Sequence, residues 1–354
     1  MRFIGNKEKL VDWIYSVIKS KKIKGKRFFD FFSGTTTVAR YFKEKEYNII
    51  SSDLLYFSFV LQKAYIENHE TPKFEKLLDY LKVVSNIFFP EPLDLIIQYL
   101  NDLQGKAGFI YNNYSPGGTK NLQRQRLFFS DYNSKKIDHI RITIEEWKQQ
   151  NLLTENEYYI LLACLIETVP YYANISGVYA AFCKSWDPRA LKKIVIKPIK
   201  ILESNRKNSV YNVDSVSLVD KIKCDILYMD PPYNHRQYAP NYHLLETIAK
   251  YDYPELKGVT GLRKNYENQK SLFCSAKAGL DSLKYIIENI SCNTIFLSYN
   301  SEGVMPQDEI LKIFSKIGNP EIIEQDYLRF KSNNNGLSKT KKYVKEQIYF
   351  VEKK

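Results

Sequence analysis

The sequence predicts an α/β protein in which a parallel sheet is interrupted by a mostly helical insertion. Helix and strand patterns alternate from Arg2 to about Leu61, an order typical of parallel sheets. Strand patterns return at Asp225–Met229, Thr294–Tyr299 and Gln347–Val351. The intervening segment, roughly residues 70–205, has a different, largely helical pattern.

The first elements follow from apolar spacing and small-residue turns. Lys7–Ser20 has the amphipathic spacing of a helix, and Phe28–Phe32 is a short run typical of a strand. Small residues at Ser33–Thr37 predict a turn, after which a helix begins at Val38 and a second strand covers Asn48–Ser51.

The middle of the chain predicts a separate domain. Candidate helices at Phe74–Phe88 and Glu155–Tyr172 flank a polar, basic stretch at Tyr111–Asp138. We therefore expect residues 1–70 and 206–354 to form one domain and residues 71–205 to form the insertion.

The net charge and the aromatic content indicate what kind of partner the protein could bind. The 354 residues include 52 Lys and Arg against 40 Asp and Glu, 28 Tyr and 20 Phe, with a net charge of +12. This balance suits a polyanion whose bases stack on aromatic rings, but it also suits a Lys-rich protein without such a partner. The segment Arg329–Lys354 is strongly basic, and its centre, Lys331–Tyr343, predicts a loop between two strands. This loop is either solvated or contacts phosphates through Lys339, Lys341 and Lys342.

Targeting signals and metal motifs are missing from the sequence pattern. No apolar run approaches the about 18–20 residues that cross a bilayer, and MRFIGNKEKL has no secretory apolar core. The five cysteines are scattered without a C-x-x-C pair, so neither a disulfide framework nor a metal site is indicated. We expect a cytoplasmic protein that does not associate with membranes.

The motif Asp230-Pro231-Pro232-Tyr233 directly follows a predicted strand. Ligands of open α/β sheets bind beyond the carboxyl ends of strands, and consecutive prolines hold the backbone rigid there. The Asp230 carboxylate and the Pro231 carbonyl offer two acceptors, and Tyr233 offers a flat ring. An exocyclic amine on a planar base has the matching donors and face. The alternative is an ordinary strand-end turn in which the Asp is a cap.

A second signal follows the first predicted strand. In Asp30-Phe31-Phe32-Ser33-Gly34-Thr35-Thr36-Thr37, small residues let a ligand approach the backbone. Asp53 ends the next strand 23 positions after Asp30, where a nucleotide site places a carboxylate on ribose hydroxyls. No G-x-G-x-x-G and no G-x-x-x-x-G-K-[ST] is present. A ligand with a ribose but no phosphate, S-adenosylmethionine, is therefore favoured.

These residues resemble the Dam-like N6-adenine DNA methyltransferases in the alpha arrangement of motifs, members of restriction–modification systems. Asp230–Tyr233 matches the catalytic motif, and the likeness covers nearly the whole chain. The resemblance implies a Rossmann-like S-adenosylmethionine-dependent methyltransferase sheet, with 71–205 as the target-recognition insertion. It implies that the cofactor-binding residues are Phe3, Lys7, Asp30, Phe32, Ser33, Gly34, Thr35, Thr36, Thr37, Asp53, Asp214, Ser215 and Asp230.

The resemblance also implies duplex DNA as the partner, with a flipped adenine as the methyl acceptor and a cognate restriction endonuclease acting on the same site. A monomer is the expected state on DNA. The candidate DNA-binding residues are basic or polar and lie in the insertion, after the catalytic motif or in the tail. They are Arg124, Arg126, Lys135, Arg236, Tyr238, Asn241, Lys339, Lys341 and Lys342.

Three other interpretations remain open at the level of sequence. An RNA base-amine methyltransferase shares the same chemistry, and a cytosine N4 DNA methyltransferase is close to it but usually has Ser at the position of Asp230. A non-catalytic DNA-binding module is the alternative from another class. Because no Pro-Cys dipeptide occurs, cytosine C5 methylation, which needs a Cys nucleophile, is disfavoured.

Overall fold

The computed structural model describes residues 3–82, 91–328 and 343–354, and contacts within this part of the chain divide it into two units. The first unit consists of residues 3–4, 63–82, 91–203 and 239–268. The second consists of the described residues within Gly5–Gln62, Ser204–Tyr238 and Gln269–Lys354.

The strands of the described residues fall into two sheets. In chain order they are β1 Arg27–Asp30, β2 Asn48–Ser52, β3 Ser209–Tyr211, β4 Lys223–Met229, β5 Leu256–Lys257, β6 Leu262–Arg263, β7 Ser291–Asn300, β8 Glu321–Leu328 and β9 Tyr343–Glu352. The second unit holds a seven-stranded sheet in the order β3-β2-β1-β4-β7-β9-β8. The pair β5-β6 lies in the first unit.

The described helices follow the same chain order. They are α1 Val11–Ser20, α2 Thr37–Glu44, α3 Tyr56–Gln62, α4 Glu75–Leu81, α5 Pro92–Asp102, α6 Phe109–Tyr114, α7 Asp131–Gln149, α8 Glu155–Thr168, α9 Tyr238–Asn241, α10 His243–Lys250, α11 Ala276–Asn289 and α12 Gln307–Phe314. None of the helices in the described ranges has the length and apolarity that a membrane span requires.

The seven-stranded sheet confirms the predicted α/β class. Strands β3, β2, β1, β4 and β7 are parallel, whereas β9 runs antiparallel to both β7 and β8. The chain proceeds outward from β1 through β2 and β3, and then resumes on the other side of β1 with β4. This reversal is the switch point at which ligands of Rossmann-like sheets bind, at the carboxyl ends of β1 and β4.

Both faces of the central strand β1 are covered. Phe28 and Phe29 are consecutive, point to opposite faces and are fully buried. Phe28 stacks on Phe42 of α2 with ring centroids 4.0 Å apart, while Phe29 belongs to a core cluster that includes Leu283 and Ile286 of α11. Burial on two faces explains why β1 reads as an apolar run without alternation.

Three predicted boundaries differ from the structure for local reasons. The helix predicted over Lys7–Ser20 begins only at Val11, because Lys7 lies in a turn whose carbonyl accepts from the amide of Leu10. The helix predicted over Phe74–Phe88 ends at Leu81, where Lys82 takes a left-handed φ of 54° and caps it; residues 83–88 of that prediction lie outside the described residues. The helix predicted over Glu155–Tyr172 gives way to a 3-10 turn at Val169, next to Pro170.

The first unit is mostly helical, and it includes a segment that the sequence analysis assigned to the other domain. Ala239–Asn268 packs with it because the buried Arg141 of α7 donates to the carbonyls of Ile248 and Ala249 at the end of α10. The contact-based units therefore differ from the predicted limits, and the recognition role of 71–205 stays a prediction.

Candidate active site

The predicted site residues of the second unit follow the carboxyl ends of neighbouring strands. Asp230-Pro231-Pro232-Tyr233 follows β4, Asp30 ends β1, and Asp53 comes directly after β2. Because β1 pairs in parallel with both β2 and β4, these three strand ends share one edge of the sheet. The sheet thus brings together residues that are up to 203 positions apart, from Asp30 to Tyr233.

A buried charge cluster surrounds Asp230. The Lys7 ammonium lies 3.2 Å from Asp230 Oδ1 and 3.0 Å from Glu346 Oε2. The Lys7 and Glu346 side chains are 6% and 8% exposed, whereas that of Asp230 is 17% exposed. Asp230 is therefore the member of the cluster that an incoming ligand can reach most readily.

Burial dominates the electrostatics of this cluster. Burial raises the pKa of Asp230 to about 6; the Lys7 ammonium opposes the shift and Glu346 adds to it. Burial alone lowers the pKa of Lys7, but the Asp230 and Glu346 carboxylates more than offset it, so the net shift is upward. Lys7 is thus a cation and Asp230 an ionised acceptor at neutral pH.

Asp30 is a second carboxylate with a shifted pKa. It is 2% exposed, and burial, followed by the charge of Asp230, raises its pKa to about 8. At neutral pH it is therefore mainly a neutral carboxylic acid, which can donate as well as accept a hydrogen bond.

The loop between β1 and α2 is tied to the end of β2. Gly34 and Thr36 take left-handed φ values of 50° and 62°, a conformation that glycine adopts freely and threonine rarely. Asp53 Oδ2 accepts from the Gly34 amide at 2.8 Å, and Oδ1 accepts from the Leu55 amide at 2.8 Å. The carboxylate is thereby held against the loop in one orientation.

The remaining residues of this loop contact one another and the N-terminal turn. Ser33 and Thr35 are buried, and the Ser33 amide donates to the Ser52 carbonyl. The Thr37 hydroxyl lies 3.0 Å from that of Thr35 and donates to Asn6 Oδ1 at 2.9 Å. The half-buried Phe32 makes an edge contact with Phe273 at 5.1 Å.

Asp214 and Ser215 differ in the exposure of their side chains. Asp214 is exposed, and its side chain accepts from the Val216 amide at the start of a 3-10 turn. Ser215 is buried, donates to the Phe31 carbonyl at 2.5 Å and accepts from the Ser52 hydroxyl at 2.8 Å. Ser215 thus fastens the ends of β1 and β2 together.

A backbone hydrogen bond supports the turn after β4 in addition to its two prolines. Pro231 and Pro232 are buried, and the Tyr233 carbonyl accepts from the Val304 amide at 3.0 Å.

Phe3, which was predicted to lie beside the cofactor, belongs to the first unit and stacks on Tyr242 with ring centroids 4.3 Å apart.

One predicted DNA-binding residue has a structural role instead. Arg126 is 8% exposed, and its guanidinium donates to the backbone carbonyls of Asn113, Gly258 and Val259. Buried carbonyls without a donor are costly, so three of the N–H groups of this guanidinium serve the protein interior. A DNA contact by Arg126 stays a prediction, and this burial argues against it.

The other predicted DNA-binding residues are more accessible. Arg124 is exposed above the Phe182 ring, and the half-buried Lys135 lies over Tyr111. Asn241 ends α9, and its carbonyl accepts from the Tyr179 amide. In the second unit, Arg236 is exposed and Tyr238 is half-buried. Lys339, Lys341 and Lys342 lie outside the described residues.

Glu346 and Asn300 were missed by the sequence analysis. Asn300 Nδ2 donates to Glu346 Oε1 at 2.9 Å, and the two residues are direct partners in the β7-β9 ladder. The available signal was weak: Glu346 is one of two acids in a basic segment, beside a predicted strand.

Known proteins resemble this chain over its full length. A family model described as D12 class N6 adenine-specific DNA methyltransferase matches residues 3–313. Over 100% of its length the chain is 41% identical to Type II methyltransferase M.FokI of Planomicrobium okeanokoites and 40% identical to Modification methylase StsI of Streptococcus sanguinis. It covers 53% and 52% of these relatives, and thus spans about half their length.

A third relative is matched along nearly its whole length. The chain is 37% identical to Type II methyltransferase M.NlaIII of Neisseria lactamica, over 94% of this chain and 93% of that protein. The family match extends from the N-terminal turn of Lys7 through β1, β4 and β7 to α12. The chain belongs to the D12 class N6 adenine-specific DNA methyltransferase family.

Proposed function

We propose that this chain transfers a methyl group from S-adenosylmethionine to the N6 amine of an adenine in duplex DNA. The observation that carries the proposal is the rigid Asp230–Tyr233 turn at the switch point of the sheet, with a partly exposed, ionised carboxylate. Membership of the family supports the choice of adenine.

The catalytic turn acts by positioning and by accepting hydrogen bonds. The target adenine leaves the duplex at a cost of a few kcal/mol. Its amine donates one hydrogen to Asp230 and one to the Pro231 carbonyl, Pro232 keeps the turn rigid, and its ring stacks on Tyr233. Because both hydrogens are held, the nitrogen lone pair is directed outward. The bound cofactor supplies an electrophilic methyl group on a sulfonium.

The residues at the strand ends fit this cofactor by their chemistry. The Asp53 and Asp214 carboxylates accept from hydroxyl and amino donors, and both would repel a phosphate. We propose that Asp53 binds the ribose hydroxyls and Asp214 the adenine. The proposed cofactor-binding set is completed by Phe3, Lys7, Asp30, Phe32, Ser33, Gly34, Thr35, Thr36, Thr37, Ser215 and Asp230.

The proposed DNA contacts are basic, amide and aromatic side chains. Basic side chains contact phosphates and fix the register, whereas planar and amide side chains reach bases. The proposed residues are Arg124, Lys135 and Asn241 in the first unit and Arg236 and Tyr238 in the second, together with Lys339, Lys341 and Lys342.

The order of the motifs supports the Dam-like alpha arrangement as a finer proposal. The cofactor residues begin at Phe3 and Lys7, and the catalytic turn follows after the insertion. The relatives are named Type II methyltransferases and modification methylases. We propose that this chain acts in the cytoplasm, protecting DNA against a cognate endonuclease of the same specificity.

Single-molecule sequencing of DNA from a methylation-free host tests the proposal. Expression of the protein is expected to leave N6-methyladenine at one short recurring sequence, which disappears with Asp230→Ala. Immunoblotting shows that both proteins are present, and circular dichroism with thermal unfolding of the purified variant shows that it is folded. Unmodified DNA from cells that contain the protein, or an active Asp230→Ala variant, would contradict the proposal.

A further inference from the structure

The Lys7 cluster, defined as Lys7, Asp230, Glu346 and Asn300, contains one cation and two carboxylates in a buried setting. Lys7 Nζ lies 3.0 Å from Glu346 Oε2 and 3.2 Å from Asp230 Oδ1. Asn300 Nδ2 holds the other oxygen of Glu346, Oε1, at 2.9 Å. Glu346 is therefore fixed through both of its oxygens.

We propose that Glu346 is a positioning residue, which draws the Lys7 ammonium away from Asp230 and so keeps Asp230 available to the target amine. The inference rests on the proposed function, because it assigns Asp230 as the acceptor. Glu346 lies on β9, opposite Asn300 of β7, and contacts Lys7 rather than the reacting atoms.

The charge balance explains why a second carboxylate is needed. Were Asp230 the sole partner of the buried Lys7, the ammonium would hold that carboxylate tightly, since a pair with little exposure is weakly screened. The Asp230 oxygens would then be poor acceptors for a neutral amine. Glu346 contacts the same ammonium at a similar distance, so Lys7 holds the Asp230 carboxylate less tightly.

Asn300 fixes the orientation in which the Glu346 carboxylate competes with Asp230 for the Lys7 ammonium. A glutamate on a strand has several rotamers, most of which would point its carboxylate away from Lys7. The amide of Asn300 selects the rotamer that faces Lys7, and a hydrogen bond from the Glu302 amide fixes the Asn300 side chain in turn.

Other titratable groups also act on the carboxylates of this cluster. They are Asp30 on β1, Tyr228 on β4, Tyr233 in the catalytic turn and Tyr327 on β8. Burial raises the pKa values of the three tyrosines and of Asp30. At neutral pH the tyrosines are therefore uncharged and Asp30 is mainly so. Lys7 and Glu346 remain the charges that act most directly on Asp230.

A titration of the ligand-free protein tests this inference independently of activity. Protein labelled with carboxyl-carbon-13 aspartate is titrated by NMR, and the Asp230 signal is identified by its loss in Asp230→Asn. Glu346→Gln removes the charge and keeps the shape. Because a repelling neighbour is lost and Lys7 turns to Asp230, the pKa of Asp230 is expected to fall by about one unit or more.

Two further variants make the titration specific. Glu352→Gln removes the same charge from the exposed far end of the same strand and is expected to leave the Asp230 titration unchanged. Glu346→Asp keeps the charge on a shorter side chain and is expected to lie between the wild type and Glu346→Gln. An unchanged titration in Glu346→Gln would overturn the inference.

Single-turnover methylation then separates the inference from the proposed function. Glu346→Gln is expected to lower the rate by about ten- to a hundredfold at saturating cofactor and DNA, with the KM for the cofactor nearly unchanged and partial rescue in Glu346→Asp. A wild-type rate in Glu346→Gln overturns the inference alone. Inactive wild-type protein overturns the proposed function, and the titration still decides whether Glu346 governs Asp230.

Discussion

Asp53 accepts a 2.8 Å hydrogen bond from the backbone amide of Gly34, so the carboxylate after β2 is bound to the loop after β1. The other oxygen of Asp53 accepts from the Leu55 amide at 2.8 Å. A carboxylate oxygen can accept more than one hydrogen bond, so this is the type of group that receives hydroxyl donors. The backbone amides of Gly34 and Leu55 thus fix the orientation of this carboxylate before a ligand binds.

Asp53→Ala is expected to weaken cofactor binding by about ten- to a hundredfold, since hydrogen bonds to a charged group contribute about 1.5–3 kcal/mol each. Calorimetric titration of the purified protein with S-adenosylmethionine measures this. Asp225→Ala, at the opposite end of the sheet where it pairs with Arg27, is the matched control. Equal affinity in the two variants would contradict the ribose-binding role.

Methyl transfer is expected to depend on the ionisation of Asp230. Burial raises the pKa of this carboxyl to about 6. Protonation turns one of its oxygens into a hydrogen-bond donor and removes its negative charge, so the ionised form is the better acceptor for the amine hydrogen. The single-turnover rate should therefore rise about tenfold per pH unit below that pKa and level off above it. Rates measured between about pH 5 and 8 test this; a flat profile would speak against Asp230 as the acceptor.

Asp30 is expected to make the folded protein less stable as the pH rises. Its pKa is about 8 in the folded protein and about 3.9 in an unfolded chain. Between these values the folded state binds the extra proton, so the free energy of unfolding falls with increasing pH. Asp30→Asn should remove this loss, stabilising the protein by a few kcal/mol near pH 8 and much less near pH 5.

Urea unfolding of the wild type and Asp30→Asn at both pH values measures this difference. The variant's advantage should grow with pH. An advantage that is the same at the two pH values would show that Asp30 does not titrate in this range.

Replacing Arg126 by Ala is expected to lower the stability of the protein, whereas replacing Arg124 by Ala is expected to weaken DNA binding. Arg126→Ala leaves three backbone carbonyls without their donor and should destabilise the protein by about 3 kcal/mol or more. Arg124→Ala should leave the unfolding temperature unchanged, weaken DNA binding and lower the slope of log affinity against log salt by about one. Thermal unfolding and DNA binding at several salt concentrations separate the two. A stability loss in Arg124→Ala would reverse this assignment.

Local patterns were sufficient to predict much of the fold and the position of the Asp230–Tyr233 turn directly after β4. A run of apolar residues ending in Asp230-Pro231-Pro232 marks a buried strand and its rigid end without reference to distant residues. The loop after Phe28–Phe32 is recognisable in the same way from its small residues. Parallel pairing then places the strand ends together as a property of the architecture, whatever the side chains are.

The features that were missed depend on pairings between distant residues. Lys7 and Glu346 are 339 positions apart, and only the β7-β9 register brings Glu346 opposite Asn300. Arg126 reads as a surface cation in a basic stretch, but a loop more than 130 positions later supplies carbonyls to its guanidinium. No local spacing encodes either relationship.

The position of β9 between β7 and β8 has a consequence for synthesis of the protein. Strand β8 leaves the ribosome before β9, and in the described part of the chain β9 is the strand with which it pairs. Until β9 emerges, β7 presents an open strand edge of ten residues that other nascent chains can join. Slow translation of the segment that precedes β9 would therefore promote aggregation, whereas slow translation after β9 would not.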